Sequence, residues 1–368
     1  MAAAELGPRP VAVAVRTREI EQEGLARSLS VGKERRGDGG AGAGEGNKQQ
    51  AAAPAVLRTS GTVWGEGSET FAAVCSRRGE KGTNQDCSIV WEGFGCQEDT
   101  IFCGIFDGHG PWGHYVAKAV RDSLPPSLLC HWQEALALAS LIDGAEKKLA
   151  GDCRFDLWKQ SYAAACAAVD DELRRNRRLD AVYSGCTALS VVKQGDLLVF
   201  ANVGDSRAVL ATASGDGGAL AAVQLTVDFK PNLPQEKERI RRCNGEVYCL
   251  ADEPGVYRVW QPSQDSPGLA MSRAFGDYCM KGHGVISAPE VTQRRLTGRD
   301  QFLILATDGV WDVLSNEEAV QIVAGTPERG KAAKRLVECA VRAWRHRRRG
   351  IAVDDCSAIC LFFHSPPS

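Results

Sequence analysis

Long apolar runs are missing from this 368-residue chain. No stretch approaches the ~20 consecutive apolar residues that cross a bilayer, so no transmembrane helix is expected. The first residues lack the apolar core and small-residue cleavage site of a secretory signal, and Met1 is not followed by glycine. Neither export nor myristoylation is therefore expected. An excess of one charge is missing too: 44 Lys and Arg stand against 46 Asp and Glu, a formal net charge of −2. Such a balance gives no global attraction to nucleic acid or to an anionic membrane, and neither is expected as a partner. C-x-x-C pairs are absent among the 14 cysteines, which leaves a zinc ribbon or a thioredoxin-like site without support. Without an export signal the thiols are expected to be reduced, and the apolar runs around Cys103, Cys166 and Cys360 predict small core residues. The expected location is cytoplasmic or nuclear.

Aromatic residues are nearly absent up to about Gly65, where Ala, Gly, Glu, Arg and Gln dominate. That composition buries too little apolar surface to offset chain entropy, so residues 1–65 are expected to form a disordered tail and residues 66–364 the folded domain. Past Phe71, short apolar runs bounded by Gly and Asp predict strands at 71–75, 87–91, 100–106, 186–193, 197–202, 208–213, 302–306 and 358–363. Helical spacing appears at 115–124, 132–149, 156–175, 235–243, 316–323 and 331–345. Strands come in clusters with helices between blocks, without regular β-α-β alternation. The fold class expected is α+β, with two stacked antiparallel sheets flanked by helices. Residues 231–272 and 278–289, rich in Pro, Gly, Ser and Gln, read as long functional loops.

Aspartate recurs at one structural address. Asp86 precedes Cys-Ser-Ile-Val-Trp, Asp107 closes Ile-Phe-Cys-Gly-Ile-Phe, and Asp205 follows Phe-Ala-Asn-Val-Gly. Asp308 and Asp312 follow Leu-Ile-Leu-Ala-Thr, and Asp354 and Asp355 precede Cys-Ser-Ala-Ile-Cys. One such residue is ordinary turn chemistry. A sandwich, however, aligns strand termini, and carboxylates gathered there repel unless a cation neutralises them. Oxygen-only ligands suit a hard divalent ion such as Mg²⁺ or Mn²⁺ better than zinc, and Gly108 leaves its carbonyl accessible.

These segments, in this order, resemble the metal-dependent serine/threonine phosphatases of the protein phosphatase 2C family, particularly plant members. The resemblance rests on Gly79–Asp86, Phe106–Gly110, Ser184–Ala188, Ala201–Ala208, Leu269–Asp277, Ala306–Asp312 and Asp354–Ser357, and spans about Gly65 to His364. It implies the same two-sheet fold and a monomer that acts on phosphorylated proteins. It implies that Asp86, Asp107, the Gly108 carbonyl, Asp308 and Asp354 hold two Mg²⁺ or Mn²⁺ ions, with Asp107 bridging, and that Asp205 and Asp312 serve a third, weaker ion. Water activated at that centre would attack phosphorus in line. Lys81 matches the phosphate-binding position, and His109 the general acid for the leaving serine or threonine oxygen. A catalytically silent, phosphoprotein-binding relative is the rival reading, but it would be expected to have lost a ligand.

Two departures concern the site: Gln85 stands where many relatives have glutamate, and Lys81 where animal relatives have arginine, replacing a bidentate fork by a point charge. Pro111-Trp112 differs from the smaller residues usual elsewhere. Arg207 is expected in a structural ion pair with Asp205, Trp311 and Trp260 in packing with a rim position as the alternative for Trp260, and the basic run 345–349 as a helix end. Gly325–Ala332 copies the spacing of a P-loop, but Ala332 replaces the metal-binding hydroxyl residue and a helix is expected where a strand should precede.

Overall fold

The computed structural model describes residues 55–64, 70–143, 152–215, 219–264, 266, 268–348 and 350–364. Its strands in chain order are β1 (Val56–Leu57), β2 (Gly61–Trp64), β3 (Phe71–Arg77), β4 (Cys87–Glu92), β5 (Thr100–Phe106), β6 (Gly108–His109), β7 (Gly185–Cys186), β8 (Ala188–Gln194) and β9 (Leu197–Val203). They continue with β10 (Arg207–Ala213), β11 (Leu220–Gln224), β12 (Glu246–Tyr248), β13 (Arg258–Trp260), β14 (Phe275–Gly276), β15 (Glu290–Arg295), β16 (Asp300–Ala306) and β17 (Cys356–Phe362). The helices are α1 (Gly113–Asp143), α2 (Asp152–Arg175), α3 (Pro234–Arg242), α4 (Tyr278–Lys281), α5 (Asp308–Trp311), α6 (Asn316–Ala324) and α7 (Ala332–Arg347). One six-stranded sheet runs β1-β4-β5-β8-β9-β15 and the other β11-β10-β16-β17-β3-β2, with antiparallel pairing throughout both. This is the α+β sandwich expected from the sequence.

Side-chain alternation builds the layers. On β5, Ile101, Cys103 and Ile105 enter the core between the sheets, whereas Phe102 and Phe106 pack outward under α1 and α2. On β16, Leu303 and Leu305 point inward while Phe302, Ile304 and Ala306 pack under α6 and α7. Because helices cover both outer faces, the central strands are buried on both sides and read as continuous apolar runs. Cys103, Cys166 and Cys360 are all buried in these layers.

The sequence breaks the first long helix at Pro125-Pro126, yet α1 runs through both prolines. Leu124, Leu128 and Trp132 are buried along one face of it, and Trp132 stacks on Trp158 of α2 at 3.7 Å between ring centroids. Tertiary burial on both sides of the proline pair outweighs the lost backbone hydrogen bonds. The tail boundary also moves. Residues 1–54 lie outside the described residues, but β1 pairs with β4 and β2 with β3, and Val63 is buried between the sheets. The folded domain therefore begins before Gly65. Edge strands of two and four residues borrow their partners from a finished sheet, so composition alone does not reveal them.

The segment 231–272 is no bare loop. It holds α3 and the β12–β13 ladder, closed by a small core of Ile240, Val259 and Met271. Glu236 staples it. Its carboxylate accepts from Arg239 at 2.6 and 2.7 Å, from Arg273 at 2.9 and 3.1 Å and from the Ser272 hydroxyl at 2.6 Å. Trp260 is 2% exposed and stacked on Tyr248 at 5.1 Å, which makes it a packing residue and not part of a rim.

Candidate metal and phosphate site

Register sets the site. Cys87 pairs with Phe106, so Asp86 and Asp107 leave neighbouring strands at the same end of one sheet. In the other sheet Ala306 pairs with both Arg207 and Ala358, which gathers the turns carrying Asp205, Asp308 and Asp354. The sheets are tied across this end by the Thr307 hydroxyl, which donates to Asp86 Oδ2 at 3.0 Å, while Thr307 N donates to the Ser357 carbonyl of the neighbouring strand β17 at 3.1 Å. Gly108 is buried, and a Cβ there would sit 2.4 Å from the Gly113 carbonyl oxygen, so only glycine fits.

The acids feel one another. Burial pushes the Asp86 carboxyl up to about 7, with the charges of Asp355 and Asp354 adding to it against hydrogen bonds from Ser357 and Thr307. Burial, then the charges of Asp308, Asp86 and Asp354, hold Asp107 well above the usual carboxylate range. Asp308 is raised in the same way by burial, Asp205 and Asp312. Asp86 Oδ1 and Asp205 Oδ1 are buried without a hydrogen-bond partner. Asp312 lies at the exposed edge.

Two lysines answer this charge. Lys81 Nζ pairs with Asp354 Oδ2, and Lys230 Nζ with Asp205 Oδ2 at 2.5 Å. Burial would lower each ammonium pKa, but the facing carboxylates outweigh it and raise both. Among the described residues no three His, Cys, Asp or Glu side chains are already drawn in around a single point. The donor set nevertheless fits a hard cation. It is all oxygen, it includes two orphaned carboxylate oxygens, and burial together with mutual repulsion raises the pKa of Asp107 and Asp308.

His109 stands on β6, which pairs with β7, which in turn pairs with β14. That ladder sets His109 Nε2 2.7 Å from Asp277 Oδ2. Burial lowers the imidazole pKa, while the Asp277 charge and hydrogen bond raise it further than burial lowers it. His109 Nδ1 is buried without a partner.

The adjacent pair Asp354 and Asp355 divides. Asp354 turns to Lys81, while Asp355 accepts from Gly79 N at 2.7 Å and Gln85 N at 2.8 Å. Arg207 is in a structural ion pair, but its partner is Asp228 at 2.5 Å, supported by Asn316; Asp205 takes Lys230 instead. Trp311 is buried and donates to the Ala306 carbonyl at 2.8 Å. Of the basic run, Arg347 closes on Glu318 and Val313, and Arg349 lies outside the described residues.

Lys230, Asp277 and Thr307 were not singled out by the sequence reading. Asp277 and Thr307 fall inside the motifs that carry the resemblance, but nothing local says that they face His109 and Asp86. Lys230 sits 25 residues from Asp205 and reaches it only through the fold.

The family model for protein phosphatase 2C matches residues 72–347. A relative from Oryza sativa subsp. japonica, "Probable protein phosphatase 2C 48", is 79% identical over 321 residues, covering 86% of this chain and 91% of its own. Another from Arabidopsis thaliana, "Probable protein phosphatase 2C 34", is 65% identical over 313 residues, covering 85% and 86%. The solved serine-threonine phosphatase 2C of Toxoplasma gondii superposes with a TM-score of 0.72 at 26% identity, covering 85% of this chain and 100% of its own. The chain belongs to the protein phosphatase 2C family, the protein serine/threonine phosphatases.

Proposed function

We propose that this chain, acting as a monomer, hydrolyses phosphoserine and phosphothreonine in proteins at a two-metal centre. Asp86, Asp107, the Gly108 carbonyl, Asp308 and Asp354 would hold two Mg²⁺ or Mn²⁺ ions, and Asp205 with Asp312 a third. When bound, such ions lower the pKa of water and neutralise phosphoryl oxygens. The protein's own groups supply the rest. Thr307 fixes the orientation of the Asp86 carboxylate, leaving Oδ1 for a ligand role. Lys81, half-exposed beside Asp354, is free to swing its ammonium onto a substrate phosphate. Asp277 holds the His109 ring through Nε2 and stabilises its cationic form, the form a general acid for the leaving oxygen needs.

The observation that carries this reading is the cluster of buried carboxylates at one sandwich end, raised in pKa and with orphaned oxygens. Chelated protein should neither release phosphate from a phosphothreonine peptide nor show the higher melting temperature that added Mn²⁺ confers on the untreated chain. Asp308→Asn should lose most of both effects while remaining folded. Full turnover after exhaustive chelation refutes the two-metal centre.

A further inference from the structure

Four large apolar side chains beside His109 have no place in the chemistry above. Trp112, Tyr115, Val182 and Tyr183 are between 42% and 57% exposed. They form one patch. The Trp112 and Tyr115 rings lie 5.5 Å apart, and Trp112 N donates to Ser184 Oγ at 2.9 Å, next to Tyr183. Gly110 closes the gap: its φ is +82°, and a Cβ on it would be 2.3 Å from the Tyr183 carbonyl oxygen. The patch is therefore built where the start of α1 with the turn before it meets the 182–184 loop, at the catalytic turn.

Both segments are anchored around the turn that carries His109. Gln85 Nε2 donates to the Gly110 carbonyl at 3.0 Å, and Asp277 N donates to the Ser184 carbonyl at 2.9 Å. Tyr278 N and Cys279 N donate to the carbonyls of Ala181 and Val182 at 3.2 and 3.1 Å. Exposed aromatics on mobile loops would lose rotamer and backbone freedom on binding; these are already held, which favours their use as a contact surface. Reach identifies the occupant. Trp112 is three peptide steps from His109, so its Cα lies within about 11 Å of that of His109. A substrate chain extended across the site covers that distance in about three residues.

We propose that this patch is a specificity surface for a large apolar or aromatic side chain lying within about three residues of the phosphorylated serine or threonine. The inference rests on the phosphatase reading and deepens it by naming a substrate class. Trp112 and Tyr183 would be specificity residues and take no part in the chemistry.

The test uses phosphothreonine peptides that differ only in Phe or Ser at positions one to three residues from the phosphothreonine, on both sides. Wild type should favour the best Phe peptide about tenfold in kcat/KM, chiefly through KM, as expected for one aromatic contact with its buried area. Trp112→Ala and Tyr183→Ala should each bring that ratio to within about twofold, and Trp112→Phe should restore it. The readout is the ratio within each variant, which a general loss of activity leaves unmoved. Leu138→Ala, an exposed apolar position far along α1, controls for nonspecific loss of surface apolarity and should keep the wild-type ratio. Equal cleavage of Phe and Ser peptides by wild type, or an unchanged ratio in Trp112→Ala, overturns the proposal while p-nitrophenyl phosphate turnover still upholds the phosphatase reading. Wild type that cleaves neither that probe nor any peptide overturns both.

Discussion

Asp354→Asn and Asp355→Asn should fail in opposite ways. Read from the sequence, alternation along the strand keeps the two from facing one ion, and the family resemblance gives the ligand role to Asp354 and makes Asp355→Asn mild. The hydrogen bonds change the second expectation. Both Asp355 oxygens accept backbone N–H groups, from Gly79 and Gln85, and so tie β17 to the segment that carries Lys81 and Asp86. An asparagine amide keeps one acceptor and turns its NH₂ toward the other N–H. Hydrogen bonds to a charged group contribute about 1.5–3 kcal/mol each, and a donor left facing a donor loses more, so Asp355→Asn should destabilise by about 2–4 kcal/mol. At roughly 2 °C per kcal/mol for a domain of this size, the melting temperature should fall by about 4–8 °C. Asp354→Asn removes one of several mutually repelling carboxylates and frees Lys81, so the metal-free fold should melt within about 1 °C of wild type. It should instead lose Mn²⁺ binding by calorimetry. Thermal melts by circular dichroism on chelated protein, paired with Mn²⁺ titration, read both effects. An Asp355→Asn variant that melts with wild type, or an Asp354→Asn variant that binds Mn²⁺ normally, refutes the division of labour.

Three further outcomes follow from the geometry. Thr307→Val removes the hydroxyl that donates to Asp86 and accepts from Ser357 N, and should weaken Mn²⁺ affinity by about tenfold with turnover partly rescued at high Mn²⁺; unchanged affinity would mean that Asp86 is oriented by other groups. Glu236 titrates at about 2, because hydrogen bonds from Arg239, Arg273 and Ser272 overcome the opposing effect of burial, against an ordinary 4.5. Its ion pairs therefore stabilise the fold fully above pH ~4.5 and cease to do so as pH falls through ~2, so the difference in melting temperature between wild type and Glu236→Gln should narrow over that window; a difference independent of pH refutes the assignment. Deleting residues 1–54 leaves every described strand in place and should preserve the melting temperature, whereas deleting residues 1–64 removes β1, β2 and buried Val63 and should lower it by several degrees, with equal melts for the two truncations placing the boundary back at Gly65.

The acids were legible because each is local text: an apolar run of strand length that stops at Asp can be read without knowing the fold. The same holds for β5 and β16, whose central positions bury both faces and leave uninterrupted apolar runs. What stayed hidden is whatever the fold completes from a distance. β1 and β2 are strands because β4 and β3 offer them an edge, and α1 runs through Pro125-Pro126 with Leu124, Leu128 and Trp132 buried along it. At the site the same division applies. Nothing near Asp205 announces Lys230, nothing near His109 announces Asp277, and Arg207 passes over its sequence neighbour Asp205 for Asp228. Period-two alternation separates the faces of Asp354 and Asp355, but it cannot say that the Asp355 face meets two backbone donors. A ligand's identity is thus written in its own segment, whereas the groups that orient it are supplied by segments that only tertiary pairing brings near. Substitutions at such orienting groups are where a reading from sequence alone most understates the damage.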